Sequence, residues 1–176
     1  MHQVNLIQVT ADDVFPVKGV NTIFEGSERL MHYVFDEYIP KFFDRIDQVI
    51  LVADYSGYSK KELTNFLECN NTYFKEFELP HIYIGQTSKY KVEYPVLMSM
   101  VKDYKLDTED YLLINKQKID DFMLKELGDT KYIQLDHLEN FSNDDNNYKM
   151  MYDAEHLSTV GTAYYSRKLE DYLLRN

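Results

Sequence analysis

Apolar positions follow two different periods along this chain. Four short runs, "VNLIQVT" (4–10), "QVILVAD" (48–54), "HIYIGQ" (81–86) and "KYIQLD" (131–136), read as strands. The second is almost continuously apolar, which predicts a strand covered on both faces. Between the runs the period lengthens to that of a helix. Residues 27–46 place Leu30, Val34 and Tyr38 four apart, and Pro40 predicts a break or kink. Residues 60–77 place Leu63, Phe66, Leu67, Phe74 and Phe77 on one face, and 94–104 and 116–127 are shorter helical segments. A last helix is expected after Ser158, a good N-cap, with Tyr165, Leu169, Tyr172 and Leu173 as its apolar stripe.

Strands alternating with helices predict an α/β fold: three layers, α/β/α, around a mostly parallel, flavodoxin-like sheet. A length of 176 residues, 44% of them hydrophobic, suffices for one core, so a single domain over 1–176 is expected. Sites in such folds lie at the carboxyl ends of the strands. Here those ends are Thr10-Ala11-Asp12-Asp13, Ala53-Asp54-Tyr55-Ser56, Gly85-Gln86-Thr87-Ser88 and the loop from Asp136 to His156.

Charge narrows the classes of partner. A formal net charge of −11 with no basic cluster argues against nucleic acid and against anionic lipid. The single cysteine, Cys69, excludes an intrachain disulfide, and its place in a helical pattern predicts a small buried hydrophobe. No apolar run is long enough to span a membrane, and no signal peptide opens the chain. His2, His32, His81 and His137 show no metal-ligand spacing, so neither a metal nor a cofactor is expected. The acidic "SNDDNNY" stretch (142–148) reads as a solvated loop.

Asp153 and His156 carry the strongest chemical signal. A histidine acting as general base needs a fixed tautomer, and a carboxylate on one ring nitrogen supplies it. Three residues apart, just before a helix, the two can make that bond locally. An ordinary surface Asp and His near a helix start is the other reading of the same spacing.

The words around the pair, "YDAEHLSTVG", resemble the last block of the SGNH hydrolases, a family of serine esterases and acyltransferases; Asp153, His156, Leu157, Ser158 and Gly161 match it. "NLIQVTADDVFPV", "VILVADYSGY", "HIYIGQTSKYKVEYPVL" and "KYIQLDHLENF" resemble, in order, further segments of one branch, the domain fused to membrane O-acyltransferases of the acyltransferase-3 type. The resemblance implies acyl transfer or ester hydrolysis on a carbohydrate or another acylated small molecule. It assigns His156 as general base and Asp153 as its orienting carboxylate. It also implies an extracytoplasmic site, with membrane contact only through a fused or partner acyltransferase.

One part of the family pattern is missing. The opening strand and its Gly-Asp-Ser turn, which present the nucleophile, have no match here; Gly128-Asp129-Thr130 is the nearest string and stands in the wrong place. Two readings stay open: a copy lacking its first strand, or a relative that has lost the serine. In either case an exposed strand edge is expected, covered by a rearranged "VNLIQVT" or by a partner, as in a homodimer. Ser56 and Ser88 at strand ends, and more weakly Thr10, are the candidate nucleophiles. With Asp54-Tyr55-Ser56-Gly57 after the third-strand match, the oxyanion hole is unassigned.

Two other functions fit parts of the sequence. One is a non-catalytic glycan- or protein-binding accessory module on the same frame. The other is a receiver-like phosphoacceptor domain, with Asp12 and Asp13, Asp54 and Thr87 in the acidic and hydroxyl positions. A receiver needs a helix, a strand and a helix between Asp13 and Asp54, where the pattern offers one helix and no convincing strand.

Overall fold

The structure is a computed structural model that describes residues 5–11, 14–113, 116–135 and 150–175. Its contacts divide the chain into two compact units, Met1–Ile84 and Gly85–Asn176.

In the first unit the longest element is α3 (Lys60–Glu76). Ser59 starts it with a capping box. Its Oγ accepts the Glu62 N–H at 3.3 Å, and the Glu62 carboxylate accepts the Ser59 N–H at 2.8 Å. Leu63, Leu67, Tyr73 and Phe74 form its buried stripe. That stripe meets two aromatic groups. Phe15 stacks on Phe66 with centroids 4.8 Å apart, and Phe35 lies edge-on to Tyr73 at 5.2 Å.

Phe35 belongs to the helical stretch expected over 27–46. It runs as α1 (Glu25–His32), a π-helical turn (Tyr33–Tyr38) and α2 (Ile39–Phe42), then ends in a 3-10 turn, Phe43–Arg45. Pro40 neither breaks nor ends it. The distortion lies one turn earlier, where Ile39 N–H donates to Val34 O, five residues back. Phe35 O would then look to residue 40, and a proline has no N–H to give. The buried Tyr73 hydroxyl donates to Phe35 O instead. Burial, and then the charges of Asp36 and Glu76, push the Tyr73 hydroxyl up to about 12, so it stays a donor.

β1 (Val49–Val52) and β2 (His81–Ile84) pair in parallel, Val49 opposite His81 and Val52 opposite Ile84. The strand buried along its whole length is β2, not β1 as expected; Leu51 is buried, but Ile50 and Val52 face solvent. The Tyr55 hydroxyl donates to Ile84 O at 2.7 Å and ties the turn after β1 to the end of β2. The run at 4–10 forms no strand over its described residues, 5–10, which are all exposed. A strand is stabilised by a ladder partner, and these residues have none among the described residues. Between residues 14 and 47 there are helices and no strand, which removes the frame a receiver domain needs.

The second unit contains α4 (Tyr94–Tyr104), α5 (Lys116–Leu127), β3 (Tyr132–Ile133) and α6 (Thr159–Arg175). These bounds match the expected helices closely, including the start of α6 after Ser158. The chain enters this unit at Gly85, whose N–H donates to Ile133 O at 2.8 Å. A Cβ on Gly85 would stand 2.8 Å from the Tyr132 hydroxyl, so this close approach requires glycine. The expected α/β class is therefore the class the chain adopts.

Candidate functional site

The Asp153–His156 pair is the tip of a small closed loop. Met151 and Leu157 form an antiparallel bridge. Tyr152 N–H donates to His156 O at 2.8 Å and Ser158 N–H to Met150 O at 3.0 Å. With Met150 and Met151 buried, the base of the loop is fixed in the protein.

Inside the loop Asp153 does two jobs. Its Oδ1 accepts the backbone N–H groups of Glu155 and His156, both at 2.8 Å, which is the local bonding that aspartate favours in turns. The same carboxylate reaches the His156 ring: Nδ1 lies 2.9 Å from Oδ2 and 3.1 Å from Oδ1. The spacing follows from this geometry, since only residues two and three positions on can give their N–H groups to one Asp oxygen while the ring folds back. These bonds, the Glu155 backbone N–H first, then the His156 N–H and ring, hold the Asp153 carboxyl at about 2. With a proton on Nδ1 for that bond, the lone pair of His156 falls on Nε2. The imidazole side chain is 77% exposed, so Nε2 is open to a solute.

Neighbouring backbone locks the loop in place. Tyr90 N–H donates to Ala154 O at 3.0 Å, and Tyr94 N–H, at the start of α4, to Asp153 O at 3.4 Å. Lys89 and Glu155 pair at 3.2 Å. Residues 89–91 are in turn bonded to 111–113, Lys91 N–H to Tyr111 O and Leu113 N–H to Lys89 O, both at 2.8 Å.

The rest of the matched motif is explained by the start of α6. Ser158 Oγ accepts the Gly161 N–H at 3.2 Å, the N-cap expected of it. A Cβ on Gly161 would meet Met150 O at 2.1 Å and Leu157 Cδ2 at 3.1 Å. Glycine at 161 thus lets α6 pass directly over the base of the loop. Replacing Gly161 with alanine is expected to cost about 1–3 kcal/mol, because backbone rather than a flexible side chain must shift. It should also move the His156 ring. A urea titration and the chemical shifts of the His156 ring read the two effects; an unchanged ring signal would separate the glycine from the loop.

The candidate nucleophiles are in three different states. Ser88, in the same unit, is 1% exposed, and among the described residues its Oγ has no hydrogen-bond partner, His156 included. The side-chain amide of Gln86, two residues earlier, is likewise buried without a partner among the described residues. Ser56 lies in the first unit and donates its hydroxyl to Asp54 Oδ1 at 2.5 Å. Thr10, also in the first unit, is exposed and its Oγ1 accepts from Gln8 Nε2 at 3.4 Å. Asp12, Asp13, Asp136 and His137 lie outside the described residues. Cys69 is exposed rather than buried, on the outer side of α3, with Sγ 3.9 Å from Lys18 O. Among the described residues no cluster of His, Cys, Asp and Glu could hold a metal, and no helix is long and apolar enough to cross a membrane.

Sequence reasoning missed a second polar group in this unit. Lys116 and Asp120 form a fully buried ion pair. Lys116 Nζ also donates to Leu135 O at 2.8 Å, and Asp120 accepts the Tyr132 hydroxyl at 2.6 Å and Gln134 Nε2 at 3.1 Å. The group fastens the β3 region to α5 and fixes the hydroxyl that packs against Gly85.

No protein-family profile matches the chain. No curated protein matches it either. Among solved structures it is similar to the periplasmic domain of a lipopolysaccharide acetyltransferase of Salmonella ser. Paratyphi A. The TM-score is 0.65 at 14% sequence identity, covering 91% of this chain and 68% of that one. At that identity the likeness is one of fold.

Proposed function

We propose that this chain is an SGNH-type domain that moves or removes an acyl group, such as acetyl, on a carbohydrate. One observation carries the reading. The His156 ring is held by Asp153 through Nδ1, in a loop fixed on both sides, with Nε2 open. The fold shared with a lipopolysaccharide acetyltransferase domain supports the substrate class.

In this reading His156 Nε2 takes the proton of an attacking hydroxyl as its oxygen forms a bond to the acyl carbon. Asp153 stays charged and stabilises the imidazolium. The donor ester C–O bond then breaks, and the proton passes from Nε2 to the departing oxygen. Of the three candidate nucleophiles, Ser88 is the first to test, because Ser56 and Thr10 have hydroxyls engaged locally. Membrane contact, in this reading, comes only through a fused or partner acyltransferase, and the site works outside the cytoplasm.

A second reading, a non-catalytic glycan- or protein-binding module, is favoured by the burial and isolation of the Ser88 hydroxyl. Hydrolysis of p-nitrophenyl acetate, with a serine-directed phosphonate as label, separates the two. Catalysis predicts turnover that falls about 10²-fold or more in His156→Ala, and one labelled serine. A folded sample with no turnover and no label would leave the binding module.

A further inference from the structure

We propose that the Tyr152 ring is the platform on which a neutral sugar ring lies within reach of His156. This role rests on the carbohydrate reading of the site given above, and it adds the residue that selects the substrate. Register places the two side chains together. Met151 and Leu157 are bridged, so Tyr152 and His156 are the next pair inward, joined by the bond from Tyr152 N–H to His156 O at 2.8 Å. Residues opposite each other on antiparallel segments send their side chains to one face, with Cβ atoms roughly 4.5–5.5 Å apart. Neighbours along an extended segment alternate between faces. Met151 accordingly turns into the protein, where it is buried, and Tyr152 turns out beside the imidazole.

A single exposed apolar side chain is ordinary on a protein surface. Tyr152 differs in its position and in how it is held. It is 76% exposed, yet its backbone is fixed. Met150 and Met151 before it are buried, and the carbonyls of Asp153 and Ala154 after it accept the N–H groups of Tyr94 and Tyr90. Tyr90 and Tyr94 are themselves buried, with ring centroids 4.8 Å apart. A tyrosine presented from a fixed base gives a large contact area at little cost in entropy.

The chemistry of the neighbourhood decides what fits. A tyrosine offers a flat face of negative quadrupole and a hydroxyl at its rim. A pyranose offers the complement, an apolar face of slightly positive C–H bonds surrounded by hydroxyls. Stacked on Tyr152, it holds its edge toward Nε2 of His156, the atom open to a solute. The charges nearby disfavour an anion. Asp153 is ionised at neutral pH, and the Glu155 side chain is half-exposed although Lys89 pairs with it. A sugar with a carboxylate of its own would meet both at close range. The class is therefore a neutral pyranoside.

Titration of the intact chain with methyl glycosides of glucose, galactose and mannose, followed by the NMR signals of the Tyr152 and His156 rings, is the test. Both rings should shift along one saturation curve. Tyr152→Leu should weaken binding about tenfold, whereas Tyr152→Phe, which keeps the stacking face, should retain most of it. Glucuronate should bind more weakly than the glucoside at low salt. Circular dichroism should be unchanged in both variants, since Tyr152 is outside the core. No shift of the Tyr152 ring with any of the three glycosides, or equal affinity in Tyr152→Leu, overturns the platform. Glucuronate binding as tightly as the glucoside overturns the neutral class. None of these readouts needs turnover, so the two readings fail separately. Ester hydrolysis that disappears in His156→Ala, with sugar bound normally by Tyr152→Leu, keeps acyl transfer and removes the platform. Sugar bound through Tyr152 with no hydrolysis of any ester keeps the platform and removes acyl transfer.

Discussion

Asp120→Ala is expected to lower stability by about 3–5 kcal/mol, the largest single loss among the substitutions considered. Asp120 lies on α5 with no solvent contact and accepts from Lys116, from the Tyr132 hydroxyl and from Gln134 Nε2. Alanine removes the acceptor but leaves the donors. Lys116, itself buried, would keep one carbonyl, Leu135 O, as its acceptor in this group. An ammonium buried without its counter-charge costs more than the pair gained, which is why breaking such pairs is worse than replacing them. A domain stable by roughly 5–15 kcal/mol would then be close to unfolding. The double variant Lys116→Met with Asp120→Leu should recover most of the loss, because it removes both charges and keeps the volume. Urea unfolding of the three proteins decides the point. A loss under about 1 kcal/mol in Asp120→Ala would mean that water reaches Lys116.

This pair also shows where reading a sequence stops. Lys116 and Asp120 stand four apart on a helix, the spacing of countless solvent-exposed pairs. Their depth depends on Tyr132, Gln134 and Leu135, which only the fold brings near. The strand at 4–10 went wrong for a related reason. Its short apolar run fits a strand, but a strand also needs a neighbour, and no local pattern reports one. In β1 the unbroken apolar run suggested two covered faces, yet Ile50 and Val52 are exposed, whereas β2 is buried although it begins with His81. His81 tolerates that place because Asn71 takes its ring nitrogen at 3.0 Å and Phe74 stacks on it. The start of α6 was legible because its cause is local, the Ser158 cap.

The Asp153–His156 bond was legible for the same reason as that cap. Two backbone N–H groups, one carboxylate and one ring, all within four residues, determine it. The nucleophile was not, because activating a serine requires a contact between distant parts of the chain, and the spacing of Ser56, Ser88 or Thr10 carries no trace of it.

In the proposed acyl-transfer reading, the test of that local bond is Asp153→Asn, expected to reduce the rate by about 10³–10⁴-fold while leaving substrate binding nearly unchanged. The amide keeps the size and can still accept a backbone N–H. It also carries an NH2 group, and when that faces the ring, Nδ1 must accept and the proton moves to Nε2. His156 then has no lone pair where the attacking hydroxyl would need it. Stability provides a second readout that does not depend on activity. Asp153 titrates at about 2 in the folded chain, below its ordinary value of 3.8. A carboxyl depressed in this way stabilises the fold above its unfolded value, and that contribution disappears as pH falls through the folded one. Native protein should therefore lose stability between about pH 4 and about pH 2 through this group, and Asp153→Asn should lack that component. Full activity in Asp153→Asn, with the acid-dependent loss removed, would show that the carboxylate shapes the loop and leaves the imidazole chemistry untouched.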